Sequence, residues 1–313
     1  MGGYMEKLLN PIVLQRADPW VYKHTDGFYY FSASVPEYNR IEIRRAKTIS
    51  ELGAAVSKTI WAKHDSGIMS ANIWAPEIHF INGTWYVYFA AAHTSEAQDG
   101  LYDHRIFVIE NSSPDPFKGT WTEKGQVITH LDTFSLDATS FIYKDAQYLV
   151  WAQRDPAIAG NSNLYIARMK NPWTLETNPV MLTKPEYDWE TIGFLVNEGP
   201  AVLVKNRKVF ITYSASATDS NYCIGLLYAD EGSDLLNPAS WSKSKKPVMV
   251  TDEKNEIFGP GHSCFTTDGD GNDLIIFHAR PYKEIIGDPL YDPNRHTMAK
   301  YLKWDAQNHP VFI

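Results

Sequence analysis

Three acidic residues and one histidine occupy the same kind of place in the chain. Asp18, Asp137 and Glu198 each precede an apolar, strand-like segment beside Pro, Ala or Gly, and His262 introduces a similar segment. Two carboxyl groups held roughly 6.5–9.5 Å apart can hydrolyse a glycosidic bond with inversion, one as acid and one as base for a water. A third carboxylate nearby can raise the pKa of the acid by repulsion. A single acid beside Pro or Gly often only caps a turn, but three at equivalent positions favour catalysis.

The element that would position these residues is a β-hairpin that recurs five times. The fourth copy runs from Glu198 through an apolar strand, turns at residues 205–208 and returns as residues 209–214. Each hairpin is followed by a third strand and then, after a surface stretch, by a fourth such as residues 246–250. Successive hairpins start about 60 residues apart, which is typical of repeated multi-strand units. The pattern predicts an all-β fold, a five-bladed β-propeller with four antiparallel strands per blade, in one catalytic domain over residues 1–313.

In a propeller, the innermost strand of every blade lines a central channel. The starts of those strands converge at one end, so we expect Asp18, Asp137, Glu198 and His262 to meet there. Glu77 falls two residues beyond the equivalent position in the second unit, Ala75, and is expected to be structural. Two long irregular stretches, residues 91–103 and 155–162, are expected to shape a pocket or cover an edge.

Composition limits the partners of the chain. The net charge is −8 and Lys and Arg form no long run, which argues against nucleic acid as a partner. No segment reaches the roughly 18–20 apolar residues that cross a membrane. The first residues contain no apolar signal-peptide core, so the protein is expected to be cytoplasmic unless a leader has been removed. The two cysteines, Cys223 and Cys264, are expected to be buried thiols.

Five short motifs, in this order and spacing, resemble glycoside hydrolase family 43 from about Pro11 to about Arg280. They are Arg16-Ala17-Asp18-Pro19, Trp74-Ala75-Pro76-Glu77, Leu136-Asp137-Ala138, Asn197-Glu198-Gly199-Pro200 and Gly259-Pro260-Gly261-His262. The resemblance implies a five-bladed propeller and an inverting enzyme that acts on arabinofuranosides or xylosides. It also implies that Asp18 is the general base, that Glu198 is the general acid, and that Asp137 orients Glu198 and raises its pKa.

The resemblance extends to residues that would hold the substrate or an ion. His262 is similar to a central histidine that in many members holds a metal ion, commonly calcium, or a water; a metal-free channel histidine is the alternative. Arg280 is similar to an arginine that contacts sugar hydroxyls, and Trp74 to a ring on which the sugar stacks. A structural ion pair and blade packing are the respective alternatives. The neighbouring Ala75 is also expected to contact the substrate. Trp151 and Phe194 are further candidates for the pocket wall, with core packing as their alternative.

These observations predict an exo-acting, inverting glycosidase. Its substrate would be terminal α-L-arabinofuranose on arabinan-derived oligosaccharides or arabinoxylan. A β-xylosidase is the first alternative, an endo-arabinanase the second, and a carbohydrate-binding propeller without catalysis the third. The sequence does not indicate the oligomeric state.

Overall fold

Five antiparallel sheets follow one another along the chain in the computed structural model, which describes residues 8–98 and 100–312. Blade one consists of β1 (Ala17–Lys23), β2 (Tyr29–Ser34), β3 (Arg40–Ala46) and β4 (Lys58–Ala62). Blade two consists of β5 (Ala71–Ile81), β6 (Thr84–Ala92), β7 (Arg105–Asn111) and β8 (Thr122–Gln126). Blade three consists of β9 (Ser135–Tyr143), β10 (Ala146–Gln153), β11 (Asn163–Asn171), β12 (Thr174–Leu175) and β13 (Val180–Thr183).

The last two blades follow the same plan. Blade four consists of β14 (Asn197–Lys205), β15 (Lys208–Ala215), β16 (Cys223–Asp230) and β17 (Ser242–Lys243). Blade five consists of β18 (Phe258–Thr267), β19 (Asp273–Arg280) and β20 (His296–Tyr301), and a short ribbon of β21 (Lys303–Trp304) and β22 (Pro310–Val311) ends the chain. The innermost strands β1, β5, β9, β14 and β18 pack side by side, and β18 packs against β1. The predicted five-bladed propeller is therefore confirmed.

The expectation of four strands in every blade is wrong for blade five. In blade three the fourth position is divided between β12 and β13, which pair with successive parts of β11. Blade five has three strands of its own, and the N-terminal segment covers its outer edge: Ile12 N–H donates to Thr297 O at 2.8 Å, and Thr297 N–H donates to Val13 O at 2.9 Å. This pairing closes the ring and protects the edge strand from pairing with another chain. Residues 246–250, expected as a fourth strand, contribute only a bridge between Met249 and Ile224.

The spaces between blades are filled by large apolar side chains. Trp85 and Trp151 are completely buried, and Cys223 and Cys264 are buried free thiols as expected. Regular helix among residues 8–98 and 100–312 is limited to short 3₁₀ turns, and no helix there is long and apolar enough to span a membrane. The core thus holds five sheets around one channel with little other regular structure.

Each inner strand carries a β-bulge close to its start. The bulge residue of each blade has a positive φ angle of 42–54°, and these residues are Asp18, Ala75, Asp137, Gly199 and His262. The residue just before it, the pre-bulge residue, still pairs regularly with the second strand, and these residues are Ala17, Trp74, Leu136, Glu198 and Gly261. The expected equivalence of Glu198 with Asp18 is therefore off by one residue, since Glu198 is a pre-bulge residue and Asp18 a bulge residue.

Candidate active site

A cavity of about 640 Å³ lies at the end of the ring where the inner strands begin. Among its lining residues are three carboxylic acids, a histidine, an arginine and several rings: Asp18, Asp137, Glu198, His262, Arg295, Trp74, Tyr102, Phe134, Phe194 and Tyr222. The structure therefore brings the three acids and the histidine of the sequence prediction into one pocket.

The bulge explains how residues offset by one position reach the same pocket. In a regular strand, successive side chains point to opposite faces of the sheet. A bulge places two residues opposite one on the partner strand and re-aims their side chains. Leu136 and Asp137, a pre-bulge residue and its bulge residue, both line the cavity. The same local geometry brings Glu198 of blade four and Asp18 of blade one to one site.

Asp18 is held by groups from four different segments. Its Oδ2 accepts a hydrogen bond from Ser34 Oγ at 2.5 Å, and its Oδ1 lies 3.7 Å from Nη1 of Arg295. Oδ1 is also 3.4 Å from Nδ1 of both His262 and His278. Burial alone would raise the pKa of Asp18, but its neighbours, above all His262 and Arg295, hold that pKa well below its usual range. Asp18 is consequently a carboxylate at any pH at which the protein works.

His278 contributes as a neutral ring. Its Nδ1 accepts the backbone N–H of Asp18 at 3.0 Å, so this nitrogen carries no proton of its own. Burial lowers the pKa of His278 to about 3, which keeps the ring uncharged. Arg295 is then the permanent cation beside Asp18, and its own guanidinium also donates to the Tyr38 hydroxyl at 2.7 Å.

One hydrogen-bonding rule fixes three of the seams between blades. The second-strand residue that faces a pre-bulge residue accepts the backbone N–H of the next blade's bulge residue. Ser34 Oγ accepts Ala75 N–H at 2.8 Å, Ser214 Oγ accepts His262 N–H at 2.7 Å, and His278 accepts Asp18 N–H as above. Ala75, a predicted substrate contact, does not line the cavity. It orients Ser34, whose proton is thereby left to bond Asp18.

The seam between blades three and four follows a different arrangement that joins two of the acids. The facing residue there is Ala152, which has no side-chain acceptor. The N–H of Gly199 instead donates to Oδ2 of Asp137 at 2.9 Å. A Cβ on Gly199 would lie 3.1 Å from the His262 ring, and the φ angle of 53° also favours glycine. Asp137 thus holds the backbone that follows Glu198, without a direct bond to the Glu198 side chain.

Glu198 is the acid that opens most to the cavity. It is partly exposed, whereas Asp18 and Asp137 are buried, and its Oε1 accepts a hydrogen bond from the Tyr222 hydroxyl at 2.8 Å. Burial raises the pKa of Glu198 to about 7, Asp18 adds repulsion, and the Tyr222 bond and Arg295 oppose the rise. Burial and repulsion from Glu198 and Asp18 raise the pKa of Asp137 as well. The Asp137–Glu198 pair therefore retains a proton near neutral pH.

Two glycines of the Gly259-Pro260-Gly261-His262 motif make room for Tyr222 and the loop before it. A Cβ on Gly261 would lie 2.0 Å from the Tyr222 ring, and one on Gly259 would lie 2.1 Å from the carbonyl oxygen of Asp219. The Tyr222 ring in turn stacks on His278 with an interplanar angle of 6°. The motif therefore positions the partner of Glu198.

The arginine in the cavity is Arg295 and not Arg280. Arg280 is buried, and its guanidinium donates to the carbonyl oxygens of Thr218 and Pro289 at 2.7 and 2.5 Å and faces Asp292. It does not line the cavity, because it is used to hold two loops together. Four residues around the three acids are absent from the predicted site: Arg295, Tyr222, His278 and Ser34. Of these, only His278 has a signal in the sequence, since it alternates with Arg280 on one face of a strand.

The aromatic candidates separate into wall and core residues. Trp74 lines the cavity and stacks on His104 at a centroid distance of 4.0 Å, and Phe194 lines it with half of its surface exposed. Trp151 does not reach the cavity; it is fully buried and its indole N–H donates to Gln153 at 2.8 Å. Glu77 is buried beside His79 at 2.9 Å, away from the cavity lining.

Loops complete the wall. The stretch 91–103 contributes Ala97, Gly100, Leu101 and Tyr102 to the lining, so this chain itself supplies that side of the pocket. Of the stretch 155–162, Asn161 reaches the lining. Asp99 lies outside the described residues.

The residues present do not make a calcium site around His262. Calcium takes 6–8 oxygen ligands. His262 offers one imidazole, whose Nδ1 already faces Asp18 and Asp137 at 3.4 and 3.7 Å. Within the described part of the chain, no three His, Cys, Asp or Glu side chains are grouped so as to hold a metal ion. No chemical step proposed below depends on a metal.

Comparison with known proteins identifies the family. Residues 8–310 match the family model "Glycosyl hydrolases family 43". The chain belongs to this family. It is 53% identical over 304 residues to an extracellular exo-α-(1→5)-L-arabinofuranosidase of Streptomyces avermitilis, an alignment that covers 97% of this chain and 62% of that protein.

The chain covers a larger share of two further relatives. An extracellular exo-α-(1→5)-L-arabinofuranosidase of Streptomyces chartreusis is 54% identical over 281 residues, which are 90% of this chain and 84% of that protein. The crystal structure of an α-L-arabinofuranosidase from Lactobacillus brevis superimposes with a TM-score of 0.96 at 58% identity, covering 98% of this chain and 96% of that one. This family 43 chain therefore spans nearly all of one solved arabinofuranosidase and less than two thirds of the S. avermitilis protein.

Proposed function

We propose that the chain is an inverting exo-α-L-arabinofuranosidase that removes terminal arabinofuranose from α-(1→5)-linked arabino-oligosaccharides. The observation that carries the reaction type is the separation of acid strengths in one cavity: Asp18 has a lowered pKa, and Glu198 has a pKa raised to about 7. Two carboxyl groups with pKa values pushed apart suit a base and an acid. The substrate is proposed because the relatives at 53–58% identity are named α-L-arabinofuranosidases, and the two Streptomyces proteins exo-α-(1→5)-L-arabinofuranosidases.

The mechanism is a single displacement at the anomeric carbon. Asp18, kept ionised by Arg295 and Ser34, takes a proton from a water as that water attacks. Glu198, kept protonated by burial, gives its proton to the leaving oxygen as the glycosidic bond breaks. Asp137 holds the backbone after Glu198 through Gly199 and adds negative charge that keeps a proton on the acidic pair.

The names of the relatives also bear on where the enzyme acts. The two Streptomyces proteins are named extracellular. We propose an extracellular role, and the expectation of a cytoplasmic protein is not supported.

The test compares aryl α-L-arabinofuranoside and aryl β-D-xyloside with wild type, and then both aryl and oligosaccharide substrates with Glu198→Ala. We expect strong arabinoside preference. Glu198→Ala should lose about 10²–10⁴-fold on arabino-oligosaccharides, whose leaving group needs a proton, and much less on an activated aryl arabinoside. A xyloside preference would refute the substrate, and equal losses on both leaving groups would refute Glu198 as acid.

A further inference from the structure

A buried carboxylate outside the cavity lining lies beside the strand that carries Glu198. Glu190 is completely buried and ends a short 3₁₀ turn, Asp188–Glu190, in the segment that joins blade three to blade four. It takes no part in the chemistry proposed above. A buried carboxylate is costly unless hydrogen bonds and a cation satisfy it, so its presence here calls for a physical reason.

One oxygen of this carboxylate anchors Glu190 to its own turn and to the outer strand of blade four. Oε2 accepts the backbone N–H groups of Glu186 and Tyr187, both at 2.9 Å, and the ammonium of Lys243 at 2.8 Å. Lys243 lies on β17, and its side chain is only 11% exposed. An ionised carboxylate only accepts hydrogen bonds, so this set of donors suits the charged form.

The other oxygen holds the two innermost strands of blade four. Oε1 accepts Asn197 Nδ2–H at 3.0 Å and the Tyr213 hydroxyl at 2.9 Å. Asn197 is the residue before Glu198 on β14. Tyr213 is the residue before Ser214 on β15, and Ser214 is paired with Glu198. Because successive side chains of a strand alternate between faces, Glu190 bonds this sheet from the face opposite to the Glu198 side chain.

A glycine on the third strand makes room for the Tyr213 side chain. Gly225 on β16 pairs in register with Tyr213, and a Cβ on Gly225 would lie 2.3 Å from the Tyr213 ring. A glycine inside a strand often marks such a close approach. The completely buried Tyr213 ring therefore lies across β16, and its hydroxyl bonds Glu190.

Asn197 connects this anchor to the acid. It is completely buried, its N–H donates to Ser162 O at 3.0 Å, and its carbonyl oxygen accepts Ser162 Oγ at 3.2 Å. The backbone before Glu198 is thus fixed through Asn197, as Asp137 fixes the backbone after it. An acid must lie within about 2.6–3.2 Å of the atom that it protonates, so a small shift of this backbone impairs proton transfer.

We infer that Glu190 is a positioning residue for the general acid and acts through Asn197. The inference rests on the proposed function, since it assigns Glu190 to the proton transfer made by Glu198. Glu190 holds the backbone that carries Glu198 and does not touch the sugar. Loss of its charge should impair cleavage of bonds whose leaving oxygen needs a proton. It should affect an activated aryl arabinoside much less, because that group leaves without one.

The experiment measures kcat and KM on arabinobiose and on an activated aryl α-L-arabinofuranoside for wild type, Glu190→Gln and Asp268→Asn. We expect Glu190→Gln to lower the ratio of arabinobiose to aryl-arabinoside kcat by about tenfold, because a displaced acid loses part of its contribution. The KM values should stay within about twofold of wild type. Asp268→Asn should leave the ratio at the wild-type value.

Asp268 is the matched control because it is also a buried carboxylate that holds backbone. It accepts the N–H groups of Asp270 and Asn272 and the Tyr301 hydroxyl, in the hairpin turn of blade five. Both variants should lose thermal stability, and only Glu190→Gln should change the ratio.

Asn197→Ala is a second variant that breaks the link and leaves Glu190 paired with Lys243. It should lower the ratio in the same way, and it replaces Glu190→Gln if that variant does not fold. An unchanged ratio, or equal losses on both substrates, would overturn the inference. A higher KM with unchanged kcat would also overturn it, since Glu190 would then act on the wall around Phe194.

If wild type hydrolyses neither substrate, the proposed function is what fails, and crystal structures of the variants decide the inference separately. In Glu190→Gln the hydrogen bond from Tyr222 to Glu198, 2.8 Å in wild type, should lengthen beyond about 3.5 Å. In Asp268→Asn this bond should be kept. An unmoved Glu198 side chain in Glu190→Gln would refute a positioning role for Glu190.

Discussion

The hydroxyl of Tyr222 donates to Oε1 of Glu198 at 2.8 Å, while the Tyr222 ring lies flat against His278, which in turn accepts the N–H of Asp18. The imidazole of His278 thus contacts both Tyr222, the hydrogen-bond partner of the proposed acid, and the backbone of Asp18, the proposed base. This contact links blade four to blade one across blade five, and it explains why the motif before His262 must be small.

Replacing Tyr222 by Phe should shift the alkaline side of the pH profile upward. The bond from Tyr222 lowers the pKa of Glu198, so its loss raises that pKa above about 7. Because Glu198 must be protonated to act, the midpoint of the alkaline fall in kcat/KM should move up by roughly 0.5–1 pH unit. Tyr165→Phe, whose hydroxyl bonds Asp155 away from the cavity, is the control. If the midpoint does not move in Tyr222→Phe, the Tyr222 hydroxyl does not affect the pKa of the catalytic acid.

Replacing Ser34 by Ala should impair the base. Ser34 receives Ala75 N–H and gives its own proton to Asp18, so the variant loses a donor that orients and stabilises the carboxylate. We expect kcat to fall by about 10–100-fold and the acid limb of the pH profile to move upward.

Ser32→Ala is a matched control for this experiment. Ser32 lies on the same strand, is fully buried, and bonds Pro76 O and Ile78 N–H across the same seam, but touches no carboxylate. Both variants should lose similar thermal stability, and only Ser34→Ala should change the pH profile. Similar kinetic losses in both would assign Ser34 a purely structural role.

Replacing Glu198 by Gln should stabilise the protein at alkaline pH. A carboxyl whose folded pKa is raised contributes its full stability below the unfolded pKa, near 4.5, and loses it as pH rises through the folded pKa, about 7. Gln keeps the acceptor for Tyr222 and cannot ionise. We expect unfolding free energies that nearly agree at pH 4.5 and differ by about 3 kcal/mol in favour of the variant at pH 8.

The control for this comparison is Glu231→Gln, at an exposed position. It should have no pH-dependent effect on thermal or denaturant unfolding. If the difference in unfolding free energy between Glu198→Gln and wild type is the same at pH 4.5 and pH 8, ionisation of Glu198 does not destabilise the folded protein, and the prediction is wrong.

Chelation should leave the activity unchanged. The position of His262 is set by the chain, since its N–H bonds Ser214 Oγ at 2.7 Å and its ring faces two carboxylates. The resemblance to the family left open a metal ion, commonly calcium, or a metal-free channel histidine here, and the side chains described around His262 do not form a calcium donor set. We expect the same kcat/KM before and after EDTA followed by dialysis. A loss of activity that added calcium restores would show that water and His262 complete a metal site.

The fold could be predicted because its signals are local and repeated. Hairpin turns and alternating apolar residues recur five times, and each copy predicts two strands by itself. The outer strands were less predictable: residues 246–250 make only one bridge, and the edge of blade five is covered by Ile12 and Val13, some 280 residues away in sequence. Pairing between segments so far apart in sequence cannot be recognised from the local alternation of apolar and polar residues.

The site could be predicted where the repeat itself placed the residue. Asp18, Asp137, Glu198 and His262 line one cavity because they lie at or next to a bulge in each inner strand. Arg280 was named from the resemblance to the family, and Arg295, which precedes β20 at the end of an irregular loop, was not among the candidates. The path of that loop decides which of the two arginines reaches the cavity. The repeated strand pattern of the sequence contains no information about this path.

The central claim is a single displacement in which Asp18 activates water on one side of the sugar and Glu198 protonates the leaving oxygen on the other. It is tested most directly by ¹H NMR of arabinobiose hydrolysis, recorded before the released sugar mutarotates. The account predicts β-L-arabinofuranose as the first product, the inverted anomer of the α-linkage. Release of the α-anomer first would require a covalent glycosyl-enzyme intermediate and would contradict it.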